Sequence, residues 1–287
     1  MVAVREWWRD LTDLVLPAEC GGCGRARSVL CPRCRTALSG AAPGRVRPVP
    51  EPPGLPVVHA AARYADEVRA ALLAHKERGV LALSAPLGVA LAGAVRAAVR
   101  ARGPVLLVPV PSARRAVRTR GHDPARRIAL AAARELRRTG TPARVLPVLR
   151  QRHAVADQSG LGARQRLDNL AGALAVVPGG GRLLCGGGPV VLVDDLMTTG
   201  ASLTEAARAL RAATAGKGPC VSEWTTGPGT YWTAKSAVYP AAAGEGREER
   251  KAGPRMAGPN GGGGVIGEVI CAAVVAASPD SFELNRN

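Results

Sequence analysis

Apolar and polar positions fall into short, separated blocks along the 287-residue chain. Residues 105–110 (VLLVPV) and 190–193 (VVLV) are unbroken apolar runs, as expected of strands covered on both faces. Residues 57–63 and 144–149 give shorter strand signals, RLLCGGGPVVLVDD resumes the strand pattern, and Val265–Ala277 predicts a last strand that completes the sheet. Helical spacing lies between them: DEVRAALLAHKERG, APLGVALAGAVRAAVRARG ended by Gly103, a helix from Pro124 to about Arg138 with Asp123 as N-cap, and Leu203–Ala213. Strands alternating with helices predict an α/β fold with an open, mostly parallel, doubly wound sheet. Arg114–Arg120 reads as a basic loop, and residues 150–169 read as polar and loop-like.

The first fifty-odd residues follow another pattern. Trp7, Trp8, Leu11, Leu14 and Val15 recur at helical spacing, and Pro17 ends that run. Cys20, Cys23, Cys31 and Cys34 follow as C-x2-C-x7-C-x2-C. Two such pairs can each wrap a tight knuckle around one Zn²⁺, and Gly24 suits the left-handed turn this needs. A closed four-thiolate site has no open position, so it predicts a folding role rather than chemistry. Residues 40–56 are rich in Pro and Gly and predict a connection. The expected division is a helix and zinc-ribbon-like module over 1–45, a linker over 46–56, and the α/β domain over 57–287.

Charge narrows the partners. A formal net charge of +17 favours phosphorylated or polyanionic ligands without selecting one. Only four of the 39 basic residues are lysine, a bias that codon usage and a preference for arginine's bidentate grip explain equally well. With no secretory leader pattern and no long charge-free apolar run, a cytoplasmic protein without a membrane span is expected. Paired cysteines in such a compartment point to metal rather than disulfides, and Cys185, Cys220 and Cys271 are scattered.

The sharpest chemistry is at Val190–Ser202, VVLVDDLMTTGAS. A buried parallel strand carries Asp194 and Asp195 to its carboxyl end, where they are expected to emerge into solvent. Thr198, Thr199, Gly200, Ala201 and Ser202 then open a helix, so hydroxyls, free N–H groups and the positive helix end converge on an anion. Carboxylates beside that cradle accept hydrogen bonds from ribose hydroxyls or hold a hydrated Mg²⁺. A sugar phosphate with vicinal hydroxyls satisfies both halves.

This segment resembles the signature of the type I phosphoribosyltransferases, whose ligand is phosphoribosyl pyrophosphate. The chain is similar more closely to the ComF family, named for a role in competence for DNA uptake. The likeness rests on the Cys₄ module, LVPVPS…RTRGHDPARRIAL, and QSGLGARQRLDNLAGA, and covers nearly all of the chain outside residues 214–264. It implies that Asp194 and Asp195 engage the ribose, that Thr198–Ser202 hold the 5-phosphate, and that Val110, Pro111 and Ser112 touch pyrophosphate, with Arg118 and Arg120 nearby. It further implies a loop over residues 150–166 that closes on the ligand, with Arg152, Arg164 and Arg166 as its basic residues. Where many members read RGFNQ, this chain has Arg120-Gly121-His122-Asp123-Pro124.

Two functions follow from the resemblance: transfer of phosphoribose to an unidentified acceptor with Mg²⁺ on the leaving pyrophosphate, or a non-catalytic sensor or scaffold that contacts DNA or a DNA-uptake helicase. Residues 214–264 break the pattern with Gly, Pro and charge without periodicity. They read as a disordered insertion in a helix-to-strand connection, or as a reading-frame artefact.

Overall fold

The computed structural model describes residues 19–99, 104–152, 163–184, 188–215 and 270–285. The expected amino-terminal helix, Cys185, Cys220 and nearly all of the 214–264 segment lie outside them.

Six strands form the main sheet in the order β1-β2-β8-β7-β3-β4. They are β1 (Gly44–Val46), β2 (Val58–Arg63), β3 (Val105–Pro109), β4 (Ala143–Val145), β7 (Val190–Met197) and β8 (Ile270–Ala277). Every neighbouring pair is parallel except β1 with β2. β5 (Leu149–Gln151) and β6 (Leu174–Val176) make a separate antiparallel ribbon. The fold is thus α/β with a mostly parallel six-stranded sheet. The last strand sits between β2 and β7, in the sheet interior.

Eight helices are described: α1 (Pro32–Ser39), α2 (Asp66–Lys76), α3 (Ser84–Ala98), α4 (Arg114–Arg120), α5 (Pro124–Arg138), α6 (Ala163–Leu170), α7 (Gly180–Leu184) and α8 (Ala201–Thr214). The sheet separates two buried layers. On one face Val191, Val193, Ala273 and Val275 pack with Leu72 of α2, Leu87 and Leu91 of α3, and Ile128 and Leu136 of α5. On the other, Val190, Leu192, Ala272 and Val274 pack with Leu203, Ala206 and Leu210 of α8. Alternate residues of one strand feed opposite layers, as the period of two requires. Residues 81–98 are long and apolar enough to cross a membrane, yet Leu83, Leu87, Leu91 and Val95 are buried in the first layer.

Several local expectations change. Arg114–Arg120 is a helix, closed by Gly121 at φ 75°, a left-handed stop that glycine adopts without strain. The strand expected over 144–149 is split, because Pro147 offers no N–H to a ladder; its halves join different sheets. Within 150–169, Leu149–Gln151 begins the ribbon and Ala163–Leu170 is helical. Residues 182–184, which open the stretch read as strand pattern, belong instead to a short helix, Gly180–Leu184. The Pro/Gly stretch contributes Gly44–Val46 to the sheet edge, and the Gly54 carbonyl accepts from Arg211 of α8 at 2.9 Å. Cys20, Cys31, Cys34 and Leu38 share the first buried layer, so the cysteine module rests directly on the sheet domain.

Candidate functional site

The chain leaves β3 towards α5 on one face, and leaves the adjacent strand β7 towards α8 on the opposite face. Neighbouring strands whose connections diverge this way open a crevice at their carboxyl ends, where open α/β sheets take ligands. Val110–Ser112 and Thr198–Ser202 border this crevice, one from each strand.

Asp194 is half-buried, and Asp195 is only 6% exposed. This corrects the expectation that both acids emerge into solvent. Asp195 follows Val191 and Val193 by alternation towards the layer containing α2, and Lys76 at the end of α2 meets it at 3.0 Å. Lys76 retains 34% side-chain exposure, so a single flexible amine covers the acid. The Asp195 carboxylate raises the Lys76 ammonium above its ordinary value against the pull of burial, and Asp194 adds to the rise. Burial, then the like charge of Asp195, pushes Asp194 well above the ordinary carboxylate range, with Lys76 opposing. The Asp194 Oδ1 also accepts the Asp195 N–H at 2.8 Å.

Lys76 was missed by sequence reasoning, since its pairing depends on long-range packing. One signal was available: it is the only lysine among the described residues of an arginine-rich chain. A compact ammonium suits a narrow place beside two carboxylates better than a planar guanidinium does.

Gly200 stands at φ 76° as the N-cap of α8, and no side chain caps the helix. The first intrahelical bond runs from the Thr204 N–H to the Gly200 carbonyl at 2.9 Å, leaving the earlier helix donors without an intrahelical partner. Thr198 is exposed, Thr199 and Ser202 are half-buried, and Gly200 and Ala201 are buried. The left-handed dihedral angle favours glycine at position 200, and a Cβ there would lie 3.0 Å from the Leu55 side chain, which would have to give way slightly.

The opposite lip is held by Asp123. Its carboxylate accepts from the Ser112 N–H and hydroxyl, both at 3.4 Å, and caps α5 through Arg126 N–H at 3.2 Å. Val110 is buried, while Pro111 and Ser112 are half-buried. His122 is 8% exposed; Nδ1 lies 3.1 Å from the Arg120 carbonyl and Nε2 lies 3.2 Å from that of His75. It therefore ties the α4–α5 turn to the end of α2 that carries Lys76. Arg120 is engaged by Glu77 at 3.0 Å, whereas Arg118 is exposed. Of the expected closing loop, Arg152 is exposed and its N–H donates to Ala173; the side chains of Arg164 and Arg166 lie outside the described residues.

The four cysteines form a second centre. All four sulfur atoms lie within 4.8 Å of one another, with Cys20, Cys31 and Cys34 buried and Cys23 exposed. A tetrahedral zinc with bonds near 2.3 Å needs sulfur separations of about 3.8 Å; Cys23 and Cys31 are at 3.6 Å. Gly24 has the left-handed φ of 76°, and a Cβ on Gly22 would come within 2.7 Å of the Cys34 sulfur. Burial alone would raise the Cys20 thiol, but backbone N–H groups of Cys23, Cys31 and Gly22 outweigh it and hold it down at about 6. Burial pushes Cys34 up. The cluster can hold a metal such as zinc. Cys271 lies apart, its thiol raised by burial to about 11.

No family model matches this chain, and no curated protein is similar to it in sequence.

Proposed function

We propose that this chain is a phosphoribosyl pyrophosphate-binding protein of the type I phosphoribosyltransferase kind, and that it resembles the ComF family. The observation that carries this reading is the join of β7 to α8. It puts two acids, a left-handed glycine and an uncapped helix end in immediate succession at a diverging pair of parallel strands. Helix donors suit a 5-phosphate, and the acids suit ribose hydroxyls. Ser112, held by Asp123, gives the pyrophosphate a second lip.

Lys76 fits the same reading. A ligand that brings hydroxyls and Mg²⁺ to Asp194 and Asp195 supplies the positive partner that Lys76 provides without ligand. The amine then turns towards the phosphates. When bound, Mg²⁺ neutralises charge on pyrophosphate; the chain's own residues position the anomeric carbon and hold the two anionic ends apart. Transfer to an acceptor and a non-catalytic sensing or scaffold role share this site. Zinc held by Cys20, Cys23, Cys31 and Cys34 completes the reading as a structural ion, and a DNA-uptake partner in the cytoplasm rests on the ComF likeness alone.

The test is competition. With Mg²⁺ present, phosphoribosyl pyrophosphate should bind at least about tenfold tighter than either ribose 5-phosphate or pyrophosphate, because only the whole ligand reaches both lips. Equal affinity for pyrophosphate alone would reduce the site to a polyanion patch. Pyrophosphate release with a panel of nucleobases separates transferase from sensor.

A further inference from the structure

A groove beyond the Asp123 turn opens on the side of the sheet layer formed by α3 and α5. It has a volume of about 890 Å³ and runs between the start of α3, the α4–α5 turn and the outer side of α5. Its floor is solid, because Gly88 of α3 and Ala131 of α5 approach so closely that a Cβ on Gly88 would collide with Ala131. Val89 and Leu130 flank that contact and are 39% and 52% exposed, the latter on a helix that buries Ile128, Ala129, Ala132, Ala133 and Leu136 elsewhere. The rim is basic. Arg138 is engaged by Glu135 at 2.8 Å, but the guanidiniums of Arg126, Arg127 and Arg134 form no ion pair among the described residues.

We propose that this groove docks an acidic amphipathic helix of a partner protein. A strip of aliphatic side chains gains from burial, which a small anion cannot supply. Unpaired guanidiniums along one helix repel one another and gain from partner carboxylates. Arg126 and Arg138 are separated by about 18 Å of helix rise, the length of roughly three turns of a docked helix. Nucleic acid fits less well, because the lining holds no Phe, Tyr or Trp, and its one ring, His122, is buried with both nitrogens against backbone carbonyls, leaving bases no face to stack on. The groove borders the turn that holds the second lip, since Asp123 lines its end, but the side chains invoked here, Val89, Leu130, Arg127 and Arg134, take no part in the phosphoribosyl pyrophosphate reading.

The probe is a fluorescein-labelled peptide of roughly sixteen residues, with leucine at i, i+4, i+7 and i+11 and glutamate flanking them. Anisotropy with the full chain should show binding at least about tenfold tighter than a scramble of the same composition. Leu130→Glu, and separately Arg127→Glu with Arg134→Glu, should each weaken it about tenfold, leaving the melting curve unchanged because these side chains are exposed. Equal binding of the scramble, or indifference to Leu130→Glu, would overturn the proposal. Tighter binding of a single-stranded oligonucleotide, lost in the same arginine variants, would also overturn it by assigning the face to a phosphate backbone.

Discussion

The cysteine cluster and the acid pair both gather groups that repel one another when ionised, and they solve the problem differently. At the cysteines the solution is built into the backbone: a left-handed Gly24, a Gly22 with no room for a side chain, and N–H groups aimed at sulfur, including Cys31 N–H to the Cys20 sulfur at 3.3 Å. At the acids it is one movable side chain, Lys76, a third exposed and reaching Asp195 from another helix. A closed arrangement suits a resident ion that never leaves. A cover that opens by rotating one side chain suits a ligand that comes and goes.

That contrast breaks first at the cysteines. Metal removal with a chelator, or Cys34→Ser, should lower the melting temperature by more than about 10 °C, since metal-binding energy is folding energy in such sites and Cys34 is part of the sheet's own buried layer. Calorimetric melting with and without chelator checks this, and an unchanged melt would mean that the cluster is not a metal centre.

Lys76→Met should cost less, about 1–2 kcal/mol at neutral pH. Losing one member of a fully buried pair costs ~3–5 kcal/mol, but this lysine is partly solvated. Because the folded protein raises Lys76, its contribution is complete below the ordinary lysine value of 10.5 and is lost as pH climbs through the folded value. Asp194 is also raised, so its proton is held more tightly in the folded state, and stability falls as pH rises from the ordinary carboxylate value to the folded one. The cost of Lys76→Met should therefore be greater near pH 8 than near pH 4, because Asp194, pushed well above the ordinary carboxylate range by burial, loses its charge as pH falls and leaves Lys76 less to neutralise. Denaturant midpoints at both values measure it. Lys76→Arg should restore stability only in part, because a planar fork replaces a compact charge.

Gly200→Ala should have a smaller effect on stability, about 1 kcal/mol from the left-handed φ, with Leu55 shifting to admit the methyl group. Its larger consequence should be in ligand affinity, as the helix donors lose their alignment.

Much of the frame was legible in the residues themselves. β3, β7 and β8 are long apolar runs covered on both faces, the Asp123–Pro124 start of α5 is a local cap, and the cysteine spacing encodes its own knuckles. What escaped depends on partners distant in sequence. The arginine-rich α4 has no buried side chain and thus no apolar period to read, and Pro147 redirected a run that looked continuous. Asp195 turns by alternation into the α2 layer, where Lys76 meets it, and His122 contacts the neighbouring carbonyl of His75 from the α4–α5 turn. Local pattern predicts the strand that delivers the acids; it carries no information about which helix end covers them.

The account turns on the acid pair as the sugar-binding half of the crevice. Calorimetric titration of phosphoribosyl pyrophosphate with Mg²⁺ into the wild-type chain and into Asp194→Asn with Asp195→Asn tests it most directly. Saturable one-to-one binding that weakens at least about a hundredfold in the double variant, with folding retained, is the expected result. Equal affinity in both proteins, or no binding to either, would contradict it.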